Sequence, residues 1–173
     1  MIILIAGASH TGKTCLAQRL LEKYHYPYLS VDHLKMGLIR AGYTGLTVDE
    51  DEALTAYLWP VVREMIKTAI ENGQNLIVEG CYIPFDWADS FDVSYRSQIR
   101  YRCLVMSEAY IKAHFDEIRR HGSDIEDRGT DDDLSMEELI EENAANLELC
   151  RKYSCPYILI DDMYDTDITK NMI

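Results

Sequence analysis

Short uninterrupted apolar runs alternate along the chain with stretches in which apolar residues return every three or four positions. Ile2–Ala6 is the first run, and a glycine-rich segment separates it from a helical pattern over Lys13–Tyr24. Tyr28–Val31, entered through Pro27, is a second run, Leu76–Val78 a third that closes on Glu79-Gly80, Arg100–Met106 a fourth, and Tyr157–Ile160 a fifth. Helical patterns fill the intervals. One spans about 32–41 and stops at Gly42; another starts at a Thr47 or Asp49 cap and stops at Asn72-Gly73. A third covers Glu108–His121 behind Ser107 as N-cap, and a fourth is marked by Leu139, Ile140, Ala144, Leu147 and Arg151. Pro60 falls inside the second of these. A proline removes a backbone donor and crowds the carbonyl four residues back, so a kink or a split into two helices is expected there. Gly122–Ser135 has no apolar period and reads as a loop.

Continuous rather than alternating apolar runs indicate strands buried on both faces. Strands separated by helices predict an α/β fold built on a parallel sheet with crossover helices. No internal repeat or linker interrupts the pattern, so residues 1–173 read as a single domain.

At 173 residues with 47% hydrophobic and 27% charged positions, the chain can bury a proper core without cross-links. Seventeen Lys+Arg against 30 Asp+Glu give a net charge of −13. That field repels a phosphate-rich polymer, which argues against a nucleic-acid partner and confines any phosphate chemistry to a local basic pocket. Cys15, Cys81, Cys103, Cys150 and Cys155 are odd in number and lack C-x-x-C spacing, so neither a disulfide framework nor a zinc knuckle is expected. The apolar start is too short for a membrane span and has no basic flank. A cytoplasmic monomer or homodimer without membrane contact is the expectation.

Gly7-Ala8-Ser9-His10-Thr11-Gly12-Lys13-Thr14 fits G-x-x-x-x-G-K-[ST] at every fixed position. Chance supplies such a match in fewer than about one chain of this length in a hundred. It also lies between a strand and a helix, as its chemistry requires. Glycines let backbone N–H groups curl around phosphate oxygens, and the helix N-terminus adds partial positive charge. Gly7, Ser9, His10, Thr11, Gly12, Lys13, Thr14 and Cys15 are therefore the nucleotide-binding set. Lys13 would reach the β- and γ-phosphates and Thr14 would ligate Mg²⁺. The side chains of Ser9, His10 and Thr11 fit structural or bystander roles better than catalytic ones.

With this loop, the segment Leu29-Ser30-Val31-Asp32-His33-Leu34-Lys35 and the segment Ile77-Val78-Glu79-Gly80, the chain resembles the small P-loop kinases. These include adenylate, shikimate and gluconate kinases, chloramphenicol phosphotransferase, zeta toxin and 2-phosphoglycerate kinase-like proteins. The resemblance implies a three-layer P-loop NTPase fold with a five-stranded parallel sheet of order 2-3-1-4-5, an acceptor-side helical region over 32–72, and a small lid near 119–135. It implies ATP and Mg²⁺ as cofactors and a small-molecule phosphoryl acceptor. Ligands of an open parallel sheet gather beyond the carboxyl ends of its strands, where Gly7, Asp32 and Glu79 fall.

Asp32 is the expected acceptor-facing carboxylate, taking the proton of an attacking hydroxyl or holding it with a metal-bound water; the alternative is a helix cap. Glu79 would join Thr14 and Asp32 at the metal or orient the acceptor, and a surface ion pair is its alternative. Lys35 and Arg40 would bind an anionic acceptor, or else be solvated helix charges. Arg119, Arg120 and Arg128 are lid candidates because forked guanidinium groups suit the spread charge of a transferring phosphoryl, with Arg119 and Arg128 the catalytic pair; a helix-end cluster is the alternative. The acids from Asp131 to Glu142 read as a solvated, capping face. Base recognition would draw on Asp161–Thr166 and the helix after the fourth strand. Where adenylate kinases continue after the third strand to an arginine, this chain has Cys81-Tyr82-Ile83-Pro84-Phe85, which argues against a nucleoside monophosphate as acceptor. A nucleoside or nucleotide kinase, and an ATP-binding switch protein, are the competing readings of function. The absence of an N-K-x-D motif disfavours a GTPase.

Overall fold

The computed structural model of the chain describes residues 1–121 and 134–162. Five strands, β1 (Ile2–Gly7), β2 (Tyr28–Ser30), β3 (Leu76–Glu79), β4 (Ile99–Met106) and β5 (Tyr157–Ile160), form one sheet in the order β2-β3-β1-β4-β5. Every neighbouring pair is parallel. The helices are α1 (Lys13–Tyr24), α2 (Val31–Arg40), α3 (Asp51–Glu71), a single turn α4 (Val93–Arg96), α5 (Glu108–His121) and α6 (Met136–Lys152), with a 3₁₀ turn at Trp87–Ser90. No described helix is long and apolar enough to cross a membrane.

Alternation along the fully buried β1 splits the core in two. Ile2, Leu4 and Ala6 join α3, the 3₁₀ turn and the inner face of β4 on one side of the sheet. Ile3 and Ile5 join Leu16, Ala17 and Leu20 of α1 and Tyr110, Ile111 and Ile118 of α5 on the other. The result is the expected helix–sheet–helix sandwich.

Three expectations are corrected, the first being that the long helix after Gly42 starts at Asp51 with Glu50 at its cap position and not Thr47 or Asp49. Val31 is not the end of β2 but the first residue of α2, so Ser30 closes the strand. α3 runs unbroken from Asp51 to Glu71 with Pro60 inside it, so of the two expected outcomes the split into two helices does not occur. An interior proline costs about 3 kcal/mol. Leu54, Leu58, Val62, Ile66 and Ile70 recur along the buried face of α3, and each fully buried side chain of this kind contributes roughly 1.5–3 kcal/mol. Packing outweighs the proline, whose ring lies on the exposed face. α6 begins at Met136, with Ser135 accepting from the Glu138 N–H at 3.3 Å, so the polar segment ends in a helix cap. α5 carries a break that its sequence does not announce, at His114 (φ −121°, ψ 16°). Among the described residues all five cysteines are free thiols.

Candidate active site

The turn from β1 into α1 is held by close backbone approach. Gly7 has φ +143°, and a Cβ there would lie 2.6 Å from the Leu104 carbonyl oxygen of β4 and 2.9 Å from Thr11 Oγ1. Only glycine lets the loop leave the sheet at this point. The Thr11 hydroxyl donates to the Ala8 carbonyl at 2.8 Å and Lys13 Nζ donates to the same oxygen at 2.7 Å, so the loop is braced from within. The first turn of α1 has no acidic residue. Its positive end is thus left available for an anion.

Lys13 is 5% exposed. Burial pulls its pKa down, but Cys81, Glu79 and Asp32 together pull harder upward, and the net is a rise above the ordinary lysine value. Three groups from the ends of β2 and β3 therefore converge on the ammonium at the end of β1. Glu79 is 1% exposed, which rules out the surface ion pair as its role. The Ser9 hydroxyl and the Cys81 thiol, 3.9 Å apart, join the loop to the segment after β3.

On the other flank a polar chain links α2, the segment after β3 and α3. Lys35 Nζ pairs with Asp32 Oδ1 at 3.1 Å and donates to the Tyr82 hydroxyl at 2.8 Å. That hydroxyl donates onward to Asp51 Oδ1 at 3.0 Å. Tyr82 is nearly buried, and desolvation followed by the charges of Asp51 and Asp32 pushes its pKa far up, so it stays a neutral phenol. Asp32 lies in the first turn of α2 and is not its cap, which is Ser30.

The far wall is α6. Asn143, 1% exposed, accepts from the Met106 N–H and donates to the Leu139 carbonyl, both at 2.8 Å, fixing the helix to the end of β4. Next to it on α6 stands Glu142, exposed. Desolvation and the charge of Asp51 raise the Glu142 pKa, while Lys13 pulls it back. Tyr82, Asp51 and Glu142 were not among the residues expected from sequence. Glu142 lies in an acidic run that reads as a solvated face, and it is exposed, with a pKa that Lys13 of the loop pulls back down.

The remaining expected residues are less convergent. Thr14 and Cys15 are half-buried on the first turn of α1, and Ser9 and His10 are half-buried in the loop. Arg40 is exposed at the end of α2. Arg119 and Arg120 are exposed on the last turn of α5, where Arg120 Nε donates to the Asp116 carbonyl at 3.1 Å. Arg128, the lid segment 122–133 and the 163–166 part of the base-recognition stretch lie outside the described residues. A hydroxyl from Thr14 and carboxylates from Asp32 and Glu79 are the hard oxygen donors that Mg²⁺ accepts beside phosphate and water. Glu79 is level with Ile5 of β1 and with Ser30 of β2, two residues before Asp32, so both acids stand at the end of the sheet that carries the loop, and the donor set fits that ion.

The fold is shared with solved structures of a gluconokinase and a shikimate kinase. No protein-family model matches the chain, and no curated protein sequence does. Solved structures match over nearly its whole length. A gluconokinase from Sinorhizobium meliloti 1021 is 15% identical, with 98% of this chain and 87% of that one covered at a TM-score of 0.50. A shikimate kinase from Bacteroides thetaiotaomicron is 16% identical over 99% and 93%, at 0.53. A protein from Chloroflexus aurantiacus, provisionally named a kinase, is 19% identical over 98% and 91%, at 0.57. At such identities the likeness establishes the fold.

Proposed function

We propose that the protein is an ATP-dependent phosphotransferase that moves the γ-phosphoryl group of ATP to a hydroxyl of a small molecule, with Mg²⁺. The observation that carries this reading is the register of the sheet, which sets Glu79 level with Ile5 of β1 and with Ser30 of β2, two residues before Asp32, so that both acids stand at the end of the sheet that carries the phosphate loop. A protein that only bound and released nucleotide would not need a carboxylate on α2 beside the one at the end of β3.

In this reading Lys13 leaves the Ala8 carbonyl for the β- and γ-phosphate oxygens, and the Gly7–Cys15 loop surrounds them with N–H donors. Asp32 receives the proton of the attacking hydroxyl as the new O–P bond forms and the bond to ADP breaks. Lys35 occupies Oδ1 of Asp32 and so fixes the rotamer, leaving the second oxygen for the acceptor. Glu79, with Thr14, would hold the Mg²⁺, whose chemistry is to neutralise charge on the phosphates. Arg119 and Arg128 remain the candidates for closing over the transferred group. Lys35, the expected anion contact, is already paired, and Arg40 is exposed at the end of α2.

The test is phosphoryl transfer from γ-labelled ATP to pooled small molecules, nucleosides and nucleotide sugars. Labelled product that disappears with Lys13→Ala supports the reading. Nucleotide binding with label released only as inorganic phosphate across the pool would favour a switch protein instead.

A further inference from the structure

Lys35 is held at two points. Its Nζ pairs with Asp32 Oδ1 at 3.1 Å and donates to the Tyr82 hydroxyl at 2.8 Å, and the Lys35 and Asp32 side chains are only 12% and 21% exposed. An ammonium has donors alone, so the phenol must accept from Lys35 and give its own proton elsewhere. That proton goes to Asp51 Oδ1 at 3.0 Å. Donation along this chain is therefore fixed in direction on both sides of Lys35, and one end of the chain is Asp32 itself. Three separate segments supply the groups: α2, the stretch after β3, and the first residue of α3.

An ion pair three residues apart on a helix holds neither side chain firmly, because a lysine's four-carbon stem is flexible. The Tyr82 hydroxyl supplies a second anchor. It is carried by a ring that is 4% exposed and packed into the core on the α3 side of the sheet, so the anchor cannot swing away. Resting on the phosphotransferase reading above, we infer that Tyr82 and Asp51 are positioning residues for the transfer step: they pin Lys35, and Lys35 pins one oxygen of Asp32 so that the other faces the attacking hydroxyl. Lys35 is accordingly a support for the base and not a contact for the acceptor. A cluster that merely tied α2 to α3 would serve stability and leave turnover alone.

The test is a double-mutant cycle on Tyr82→Phe and Lys35→Met. Label transfer from γ-labelled ATP is read as kcat and KM, with the compound that takes label in the pool of small molecules, nucleosides and nucleotide sugars as acceptor. ATP affinity is read separately by calorimetry. Tyr82→Phe keeps the buried ring and loses the hydroxyl, and its kcat should fall roughly tenfold, the scale of one hydrogen bond to a charged group. Lys35→Met should fall at least as far. Adding Tyr82→Phe to it should cost nothing more, because the phenol acts through the lysine. Acceptor KM and ATP affinity should stay near wild type throughout. Where Lys35→Met does not fold, Asp51→Ala at its exposed position gives a second cycle with Tyr82→Phe, and its losses should be non-additive in the same way. Additive losses, wild-type kcat in Tyr82→Phe, or a raised acceptor KM with kcat kept would each overturn the inference and leave the phosphotransferase reading standing. ATP binding without labelled product from the wild type on any acceptor would bring down that reading itself, and the inference with it.

Discussion

Gly80 lies directly against Val31. A Cβ at position 80 would stand 2.9 Å from the Val31 Cβ and 3.3 Å from its Cγ2. The contact sets the end of β3 on the start of α2, and the next residue on each side is an acid, Glu79 on one and Asp32 on the other. Gly80 thus fixes the spacing of the two carboxylates that both act on Lys13.

Gly80→Ala should therefore damage the site as well as the fold. Overpacking of this kind costs roughly 1–3 kcal/mol. Urea denaturation should show that loss, and transfer activity at temperatures well below unfolding should still fall. Stability and activity both at wild-type level would show that β3 can move away from α2 freely.

Lys13→Ala should abolish the rise in melting temperature that ATP gives the wild type, because stabilisation by a ligand follows its affinity. The side chain's bond to the Ala8 carbonyl is local, so the far-ultraviolet circular dichroism should be unchanged. An equal thermal shift in the variant would remove the phosphate loop from nucleotide binding.

Asp32→Asn keeps the shape and the bond to Lys35 but loses the basicity. ATP affinity should stay within several-fold, while transfer falls by about 100-fold or more, the scale of a general base. Loss of ATP binding with normal turnover per bound nucleotide would move Asp32 to the metal. Full activity would leave it the role of a charge in the first turn of α2.

Glu142 makes a prediction about pH. Its folded pKa is raised, so the native state holds this proton more tightly than the unfolded chain does. Stability from this group is then present at pH below the ordinary carboxylate value and declines as pH climbs through the raised one. Glu142→Gln should remove that decline. Melting temperatures of the two proteins should converge at the acid end of the range where the fold survives and separate above it in favour of the variant. Curves that stay parallel throughout would show that the carboxylate titrates alike in both states.

The legible parts of the site are those with a local cause. Gly7, Gly12, Lys13 and Thr14 sit within one turn, and their spacing alone dictates a phosphate cradle. Asp32 and Glu79 are recognisable because apolar runs end at them, and a parallel sheet brings strand ends together. Tyr82 and Asp51 give no such signal. Their hydrogen bond spans 31 positions, and each residue taken singly is an ordinary core tyrosine or helix-start acid. Glu142 is hidden for a different reason: its neighbours are also acids, and only the anchoring of α6 through Asn143 distinguishes it. Pro60 shows the opposite case: the split into two helices that it signals is overruled by five apolar residues on the far face of the same helix.

The sheet keeps its two apolar compartments apart, with the helix of the phosphate loop on one side and α3 on the other. Substitutions in separate, non-touching clusters add in their effects on stability. Leu58→Ala under α3 and Leu20→Ala under α1 should then cost the same together as the sum of each alone. Stability lost under α3 is therefore not amplified under α1, the helix that carries the phosphate loop.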